Sequence, residues 1–416
     1  MKKKFKLITL LGIRPDYIRM CELIKLLDEG QKKNNYTHLL VHSGQHYDPE
    51  LFDIFLEELN IRKPDIDLNI GRILIRNKKE GLGHQQALLI EKVHEMISRE
   101  KPDAVMFLGD TNTVLSSIII ARSNIPVIHI EAGGRSYDWR MPEEKNRIII
   151  DHLSDALYCY LPRYRDILLS EGIDDFRIKV VGNIIHDPLK KYDKKIDQRD
   201  ILKKLKIDSK RYILVTIHRE ENISNKEILK QKLSDINRFA KEKNIPIVFP
   251  LMPRVEVALK KHNIHSLINN ELWITKKPFG FLDFTKLEKE ARLIVTDSGT
   301  VQEDGLILRT PAVVARRSTE RPETIKAGAT VLEGFEGKDS LYKKMIEGWK
   351  IKEDWDKKIL NPQGGSPSKR IYTDLIQKVK KNYFNESRNL NKIKKVSFVR
   401  DAYGELCEQS SKKQKN

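Results

Sequence analysis

Short apolar runs alternate with longer stretches whose apolar residues fall three and four apart, and this alternation continues past residue 310. Buried parallel strands read as continuous apolar runs and their crossovers as amphipathic helices, so the pattern predicts an α/β fold with parallel sheets covered by helices. In the first half the predicted strands are residues 5–11, 37–42, 104–108, 127–130 and 156–160. After the first of them Ile18, Leu23, Ile24 and Leu27 lie at helical spacing. A second series follows at 212–216, 246–249, 272–275, 293–296 and 312–315. Between the two, the Lys- and Asp-rich stretch 190–210 carries no strand signal, and the interdomain linker is placed near its start. The chain's 416 residues exceed the size at which one core keeps growing, which agrees with two domains.

The two series share a weak repeat. Gly109-Asp110-Thr111-Asn112-Thr113-Val114 follows one strand, Asp297-Ser298-Gly299-Thr300-Val301 follows another, and each leads into a helix and a Pro-led strand. Two doubly wound, Rossmann-like domains facing each other across an interdomain cleft are therefore expected, with ligand groups converging from the carboxyl ends of both sheets. The expected boundaries are 1–188 for the N-terminal domain, 189–366 for the C-terminal domain, 367–384 for a helix returning to the first, and 385–416 for a basic tail.

A net charge of +18, from 77 basic against 59 acidic residues, invites a nucleic-acid partner. That reading needs clustered Arg with interleaved aromatics, and none is found outside the tail, where Lys392, Lys394 and Lys395 form a short run. A smaller polyanion in a basic cleft fits better. No apolar run approaches the roughly 20 residues of a membrane span, and Met1-Lys2-Lys3-Lys4 leads into an apolar stretch that ends at Gly12 without a cleavage site, so a cytoplasmic protein is expected. Cys21, Cys159 and Cys407 lie far apart, with neither disulfide nor zinc-ligand spacing.

The chemistry gathers at strand ends. Gly12-Ile13-Arg14-Pro15 opens a helix after the first strand and reads either as an anion contact or as a tight turn with a surface Arg. Asp297-Ser298-Gly299-Thr300 suits a diphosphate at a helix start, with Glu303-Asp304 one turn on suiting a ribose diol; an N-cap is the alternative. Thr216-Ile217-His218-Arg219 and Thr319-Glu320-Arg321-Pro322-Glu323 add two polar clusters at strand ends of the same domain. In the first domain Asp110 and Glu131 end neighbouring strands and Glu143-Glu144 follow a short loop, bringing carboxylates to one sheet edge. Each alone reads as a cap or an ion-pair partner of Arg135, Arg140 or Arg147; three together facing a basic pocket suggest acid–base work. Gly81-Leu82-Gly83 reads as loop glycines, with no dinucleotide fingerprint.

Taken in order, Gly12-Ile13-Arg14-Pro15-Asp16, Ser43-Gly44-Gln45-His46, Gly109-Asp110-Thr111, His129-Ile130-Glu131-Ala132-Gly133, Pro142-Glu143-Glu144, His218-Arg219, Asp297-Ser298-Gly299 and Thr319-Glu320-Arg321-Pro322-Glu323 resemble the non-hydrolysing UDP-N-acetylglucosamine 2-epimerase family over residues 5–335. The resemblance implies a GT-B-type fold and inversion of C2 of UDP-GlcNAc to UDP-ManNAc, for polysaccharide precursors. The route it implies is elimination of UDP to a bound 2-acetamidoglucal and re-addition, without cofactor or metal. It implies acid–base positions at Asp110, Glu131 and Glu143, with Glu144 as substitute, and a diphosphate contact at His218. Arg14, Ser298, Gly299 and Arg321 would bind phosphates, Asp304 with Glu303 the ribose, Phe284 the uracil, and Arg19 would lie near the substrate. It also implies a homodimer through the N-terminal domain. Asp16 and Asp304 stand where the family commonly has Glu, and the loop before Pro142 is short and reads closer to branches acting on 6-deoxy or uronic UDP-2-acetamido sugars, which remain alternatives together with a UDP-sugar glycosyltransferase of the same fold. Gln45 and His46 match the family's activating site, but Glu220 and Met252 do not, and weak or absent activation by a second substrate molecule is expected.

Overall fold

The computed structural model describes residues 4–44, 49–77, 81–334, 337, 339–386, 398–400 and 406–408. Two parallel sheets carry the fold. In the first, β1 (Phe5–Leu11), β2 (Tyr36–His42), β3 (Ile66–Asp67), β4 (Ala104–Leu108), β5 (Val127–Ile130), β6 (Ala156–Cys159) and β7 (Ile178–Val180) lie in the order β3-β2-β1-β4-β5-β6-β7. The second holds β8 (Ile213–Thr216), β9 (Ile247–Pro250), β10 (Trp273–Lys276), β11 (Leu293–Thr296), β12 (Ala312–Val314) and β13 (Thr330–Leu332) in the order β10-β9-β8-β11-β12-β13. Both orders are doubly wound, as the strand pattern leads one to expect, and the repeated sequence segments follow β4 and β11, equivalent strands of the two sheets.

Burial on both faces explains the apolar runs. Along β1, Leu7 and Leu11 pack with Met20, Leu23, Ile24 and Leu27 of the helix Arg14–Gly30, while Ile8 and Leu10 pack on the opposite side with Leu89, Val93, Met96 and Ile97 of the helix Leu82–Glu100. The period of two along a strand sends successive side chains to opposite layers. In β8, Ile213 and Val215 meet Leu229, Leu233 and Ile236, and Leu214 meets Leu287 and Ala291.

Two sequence expectations change. The stretch at whose start the linker is expected is helical: His186–Asp197 and Ile201–Leu205. Leu189, Tyr192 and Ile196 recur at helical spacing and join the core of the first domain, where the Tyr192 hydroxyl donates to the Leu59 carbonyl at 2.5 Å. Gly81 and Gly83, read as loop glycines, are the N-cap and second residue of the helix Leu82–Glu100; a helix start tolerates Gly because its first N–H groups need no helical partner.

The helix Pro367–Lys380 lies against the first sheet's helices. Tyr158 donates from its hydroxyl to Asp374 at 3.0 Å, and Asn34 Nδ2 donates to the Tyr372 hydroxyl at 3.2 Å. The chain thus leaves the first sheet and returns to it, and the two crossings run side by side: Asn183 N donates to the Leu360 carbonyl at 2.9 Å and Ser368 N to Asp187 at 2.7 Å. No helix among the described residues is long and apolar enough to cross a membrane.

Candidate active site

Each sheet has one place where its connections depart in opposite directions, between β1 and β4 and between β8 and β11, and a crevice opens at the carboxyl ends of the strands there. The two crevices face each other around a cavity of about 560 Å³. Its first wall includes Gly12, Arg14, Arg19, His42 and Arg72; its second includes Thr216, His218, Arg254, Phe284, Ser298 and Asp304. The Gly12–Arg14 turn is shaped by Asp16, whose carboxylate accepts from Gly12 N and Ile13 N, both at 3.1 Å. Asp16 is therefore part of the turn's scaffold, 1% exposed, and no wall of the cavity.

The carboxylates ending β4 and β5 are met by arginines. Asp110 pairs with Arg147, and its side chain stays 23% exposed. Burial works against its charge, but Arg147, with Arg219 and Arg321, outweighs burial and holds Asp110 below the usual carboxylate range. Glu131 is gripped by Arg19 from its own domain and by Arg321 from across the cleft. Its backbone is left-handed at φ +74°, a conformation costly for a non-glycine residue and concentrated at functional sites. Behind both, His129 places Nδ1 2.6 Å from Asp151 and Nε2 2.9 Å from the Gly109 carbonyl, fixing the turn that carries Asp110. Glu143 lies 3.6 Å from Arg219, again across the cleft, and is 35% exposed.

Glu144 differs from its neighbour. It accepts from Ser136 N at 2.8 Å, Ser136 Oγ at 2.9 Å, Tyr137 N at 2.8 Å and Arg147 at 2.8 Å, and is 2% exposed. It holds the loop, leaving Glu143 as the member of the pair open to the cleft.

On the second wall Asp297 organises the strand ends. One of its oxygens accepts from His218 N and Arg219 N at 2.8 Å and from Asn222 at 2.9 Å, and the other lies 3.4 Å from His218 Nδ1. Burial is outweighed by these partners, so Asp297 stays ionised, whereas burial lowers the pKa of His218, with Arg254, Arg219 and Arg316 reinforcing it against Asp297. Ser298 precedes the helix Gly299–Leu308 without capping it; its hydroxyl lies 3.0 Å from that of Thr300, and the first N–H groups of the helix keep no side-chain cap. At Gly299 a Cβ would collide with the Glu320 carboxylate, which Arg316, Arg147 and Arg219 hold in place, so its close passage favours glycine. Glu303 and Asp304 diverge: Asp304 lines the cavity, while Glu303 turns to Arg321 at 2.5 Å, where burial raises it to about 8 even against that cation. Arg321 likewise lies behind the cavity wall, 3% exposed.

Sequence reasoning missed Arg254, Arg316 and Glu288, named Arg147 only as a possible ion-pair partner, and placed Arg219 and Glu320 in strand-end clusters without a role of their own. Glu320 is buried between Arg316 at 3.0 Å, Arg147 at 3.8 Å and Arg219 at 4.0 Å, and these cations outweigh burial to hold it well below its usual range. Gln45 and His46 lie outside the described residues, as does most of the basic tail. Among the described residues no group of three or more His, Cys, Asp or Glu side chains is placed to hold a metal ion.

Two Rossmann-like sheets, an uncapped helix start on one wall and carboxylates bridged to arginines across the cleft are the features of a two-domain nucleotide-sugar enzyme. A family model described as UDP-N-acetylglucosamine 2-epimerase matches residues 28–364, and the chain belongs to that family. It is 38% identical over 380 residues to the UDP-N-acetylglucosamine 2-epimerase of Methanococcus maripaludis, covering 89% of this chain and 98% of that one. The crystal structure of the Methanocaldococcus jannaschii UDP-GlcNAc 2-epimerase in complex with UDP-GlcNAc and UDP matches with a TM-score of 0.81 at 36% identity, covering 89% of this chain and 99% of that one. A UDP-2,3-diacetamido-2,3-dideoxy-D-glucuronate 2-epimerase of Pseudomonas aeruginosa is 32% identical over 335 residues, covering 79% of this chain and 88% of that one.

Proposed function

We propose that this protein inverts C2 of a UDP-2-acetamido sugar, converting UDP-N-acetylglucosamine to UDP-N-acetylmannosamine. The observation that carries this reading is the set of carboxylates at one sheet edge, Asp110, Glu131 and Glu143, each beside an arginine and two of them bridged across the cleft. C2 of the substrate bears no adjacent carbonyl, so its proton is not acidic enough for simple abstraction. Elimination solves this: the C1–O bond to UDP breaks as the C2 proton leaves, giving a 2-acetamidoglucal. Reprotonation of C2 from the opposite face and return of the diphosphate oxygen to C1 complete the inversion. Acid–base groups are needed on both faces, and Asp110, held ionised, is suited to act as a base.

The leaving diphosphate takes the second wall. Ser298 and Gly299 offer the helix start, His218 stands between Asp297 and the cavity, and Arg14 and Arg19 reach from the first wall. An arriving diphosphate supplies the anion that favours a protonated His218, which then donates to the departing oxygen. Phe284 packs on the uracil and Asp304 takes the ribose. Arg321 assists by fixing Glu131 and Glu303.

The test is NMR of UDP-GlcNAc in heavy water with the enzyme. Deuterium at C2 with UDP-ManNAc formed is the expected result; turnover without exchange at C2 sinks the elimination route. A uronic or 6-deoxy UDP-2-acetamido sugar is the second reading, favoured by the short loop 134–141 and by the Pseudomonas relative.

The active species is proposed to be a cytoplasmic homodimer joined through the N-terminal domain. Sedimentation at micromolar concentration should give about twice the chain mass of 48.5 kDa, and a monomer there contradicts it.

A further inference from the structure

Glu288 lies on the helix Phe281–Glu290, a segment whose Lys and Glu residues give no hint of an inward position, yet it is 1% exposed and lines the cavity. Its Oε1 has no hydrogen-bond partner, and none of the ion pairs among the described residues includes it. Facing it from the helix Gly299–Leu308 is Asp304, whose Oδ1 is likewise unpartnered. Phe284 is four residues before Glu288 and therefore on the same helix face, about 6 Å away along the axis, comparable to the span from a pyrimidine to its ribose. Glu288 is buried and Asp304 half-buried, and an enclosed carboxyl oxygen without a partner on each costs stability unless a ligand completes it.

We propose that Glu288 is a specificity-determining residue of the nucleotide subsite, taking one hydroxyl of a ribose cis-diol while Asp304 takes the other. The proposal rests on the UDP-sugar reading above and extends it to a residue that the sequence did not single out. Asp304 is a methylene shorter than glutamate, and Glu288 supplies the reach from the facing helix. Burial and the nearby Asp304 push Glu288 well above the usual carboxylate range, and burial lifts Asp304 to about 7, with Arg19 opposing. The pair accordingly holds a proton near neutrality, so one carboxyl donates to a hydroxyl oxygen and the other accepts from a hydroxyl.

Calorimetric titration of the full-length enzyme with UDP, 2′-deoxy-UDP and 3′-deoxy-UDP tests this. The wild type is expected to prefer UDP over each deoxy analogue by about tenfold or more. Glu288→Met should reduce the preference over one analogue to below about threefold while leaving the affinity for that analogue unchanged; Glu288→Gln, which still donates and accepts, should retain most of it. Glu288→Met replaces an unpartnered buried carboxyl by an apolar chain of similar size and is expected to melt at or above the wild-type Tm; Glu288→Ala, which adds no bulk, is the second variant with the same expected loss. Full preference for UDP in Glu288→Met or Glu288→Ala overturns the role of Glu288 and leaves the UDP-sugar reading standing. Failure of the wild type to bind UDP overturns both.

Discussion

Asp110→Asn is expected to lower kcat by about three orders of magnitude and the rate of C2 deuterium exchange in parallel, with the Kd for UDP within about twofold of wild type. The amide has the size of the carboxylate and can still face Arg147, so the array of Arg147, Glu144 and Glu320 stays assembled. It cannot take a proton. Because Asp110 is kept ionised by Arg147 with support from Arg219 and Arg321, its loss removes a base that is fully charged at neutral pH. In the proposed site the uridine and diphosphate contacts lie on the second wall and at Arg14 and Arg19, none of which pairs with Asp110, which is why binding should survive. Rapid-quench kinetics and calorimetry on the same preparation separate the two effects, and exchange above about a tenth of the wild-type rate would remove Asp110 from the acid–base set.

The second large effect is on stability. Arg321→Ala is expected to reduce the unfolding free energy by about 3–5 kcal/mol, the usual cost of removing one member of a buried ion pair. Arg321 serves two carboxylates at once, Glu131 and Glu303, and none of the three is more than 5% exposed. Without it Glu131 retains Arg19, and Glu303, already raised by burial, takes up a proton. Arg321→Lys keeps the charge but loses the planar fork that reaches both partners, and should fall between the two. Urea unfolding followed by circular dichroism measures this. A loss below about 1 kcal/mol would show that the ion pair does not hold the domains' facing surfaces together. The resemblance alone cast Arg321 as a phosphate ligand; its burial behind the cavity makes it first a support for Glu131.

How much of this was legible in the sequence follows from the range over which each signal acts. The ten predicted strands are apolar runs whose burial on both faces is a local property, so they could be read directly. The edge strands β3, β7 and β13, of two or three residues each, carry too little pattern to register. His186–Asp197 hid its amphipathic stripe under Lys and Asp, which occupy its solvent face. In the site, Asp110, Glu131 and His218 stood out because they end strands. The roles of Arg147 and Arg321 did not, since each acts on a partner far along the chain: Arg147 on a residue 37 positions away, Arg321 on one 190 positions away. Glu288 is the extreme case. Among Lys286, Lys289 and Glu290 it reads as a solvated residue, and nothing short of the packing of two helices shows that it faces inward.

The side-by-side crossings of the chain limit how the halves can separate. A single tether would let the second domain swivel and twist freely, whereas two covalent connections leave rotation about the line joining them as the low-energy motion. Opening then behaves as a door on two hinges. One coordinate then governs access to the cleft, and the ion pairs Glu131–Arg321 and Glu143–Arg219 bridge its two walls.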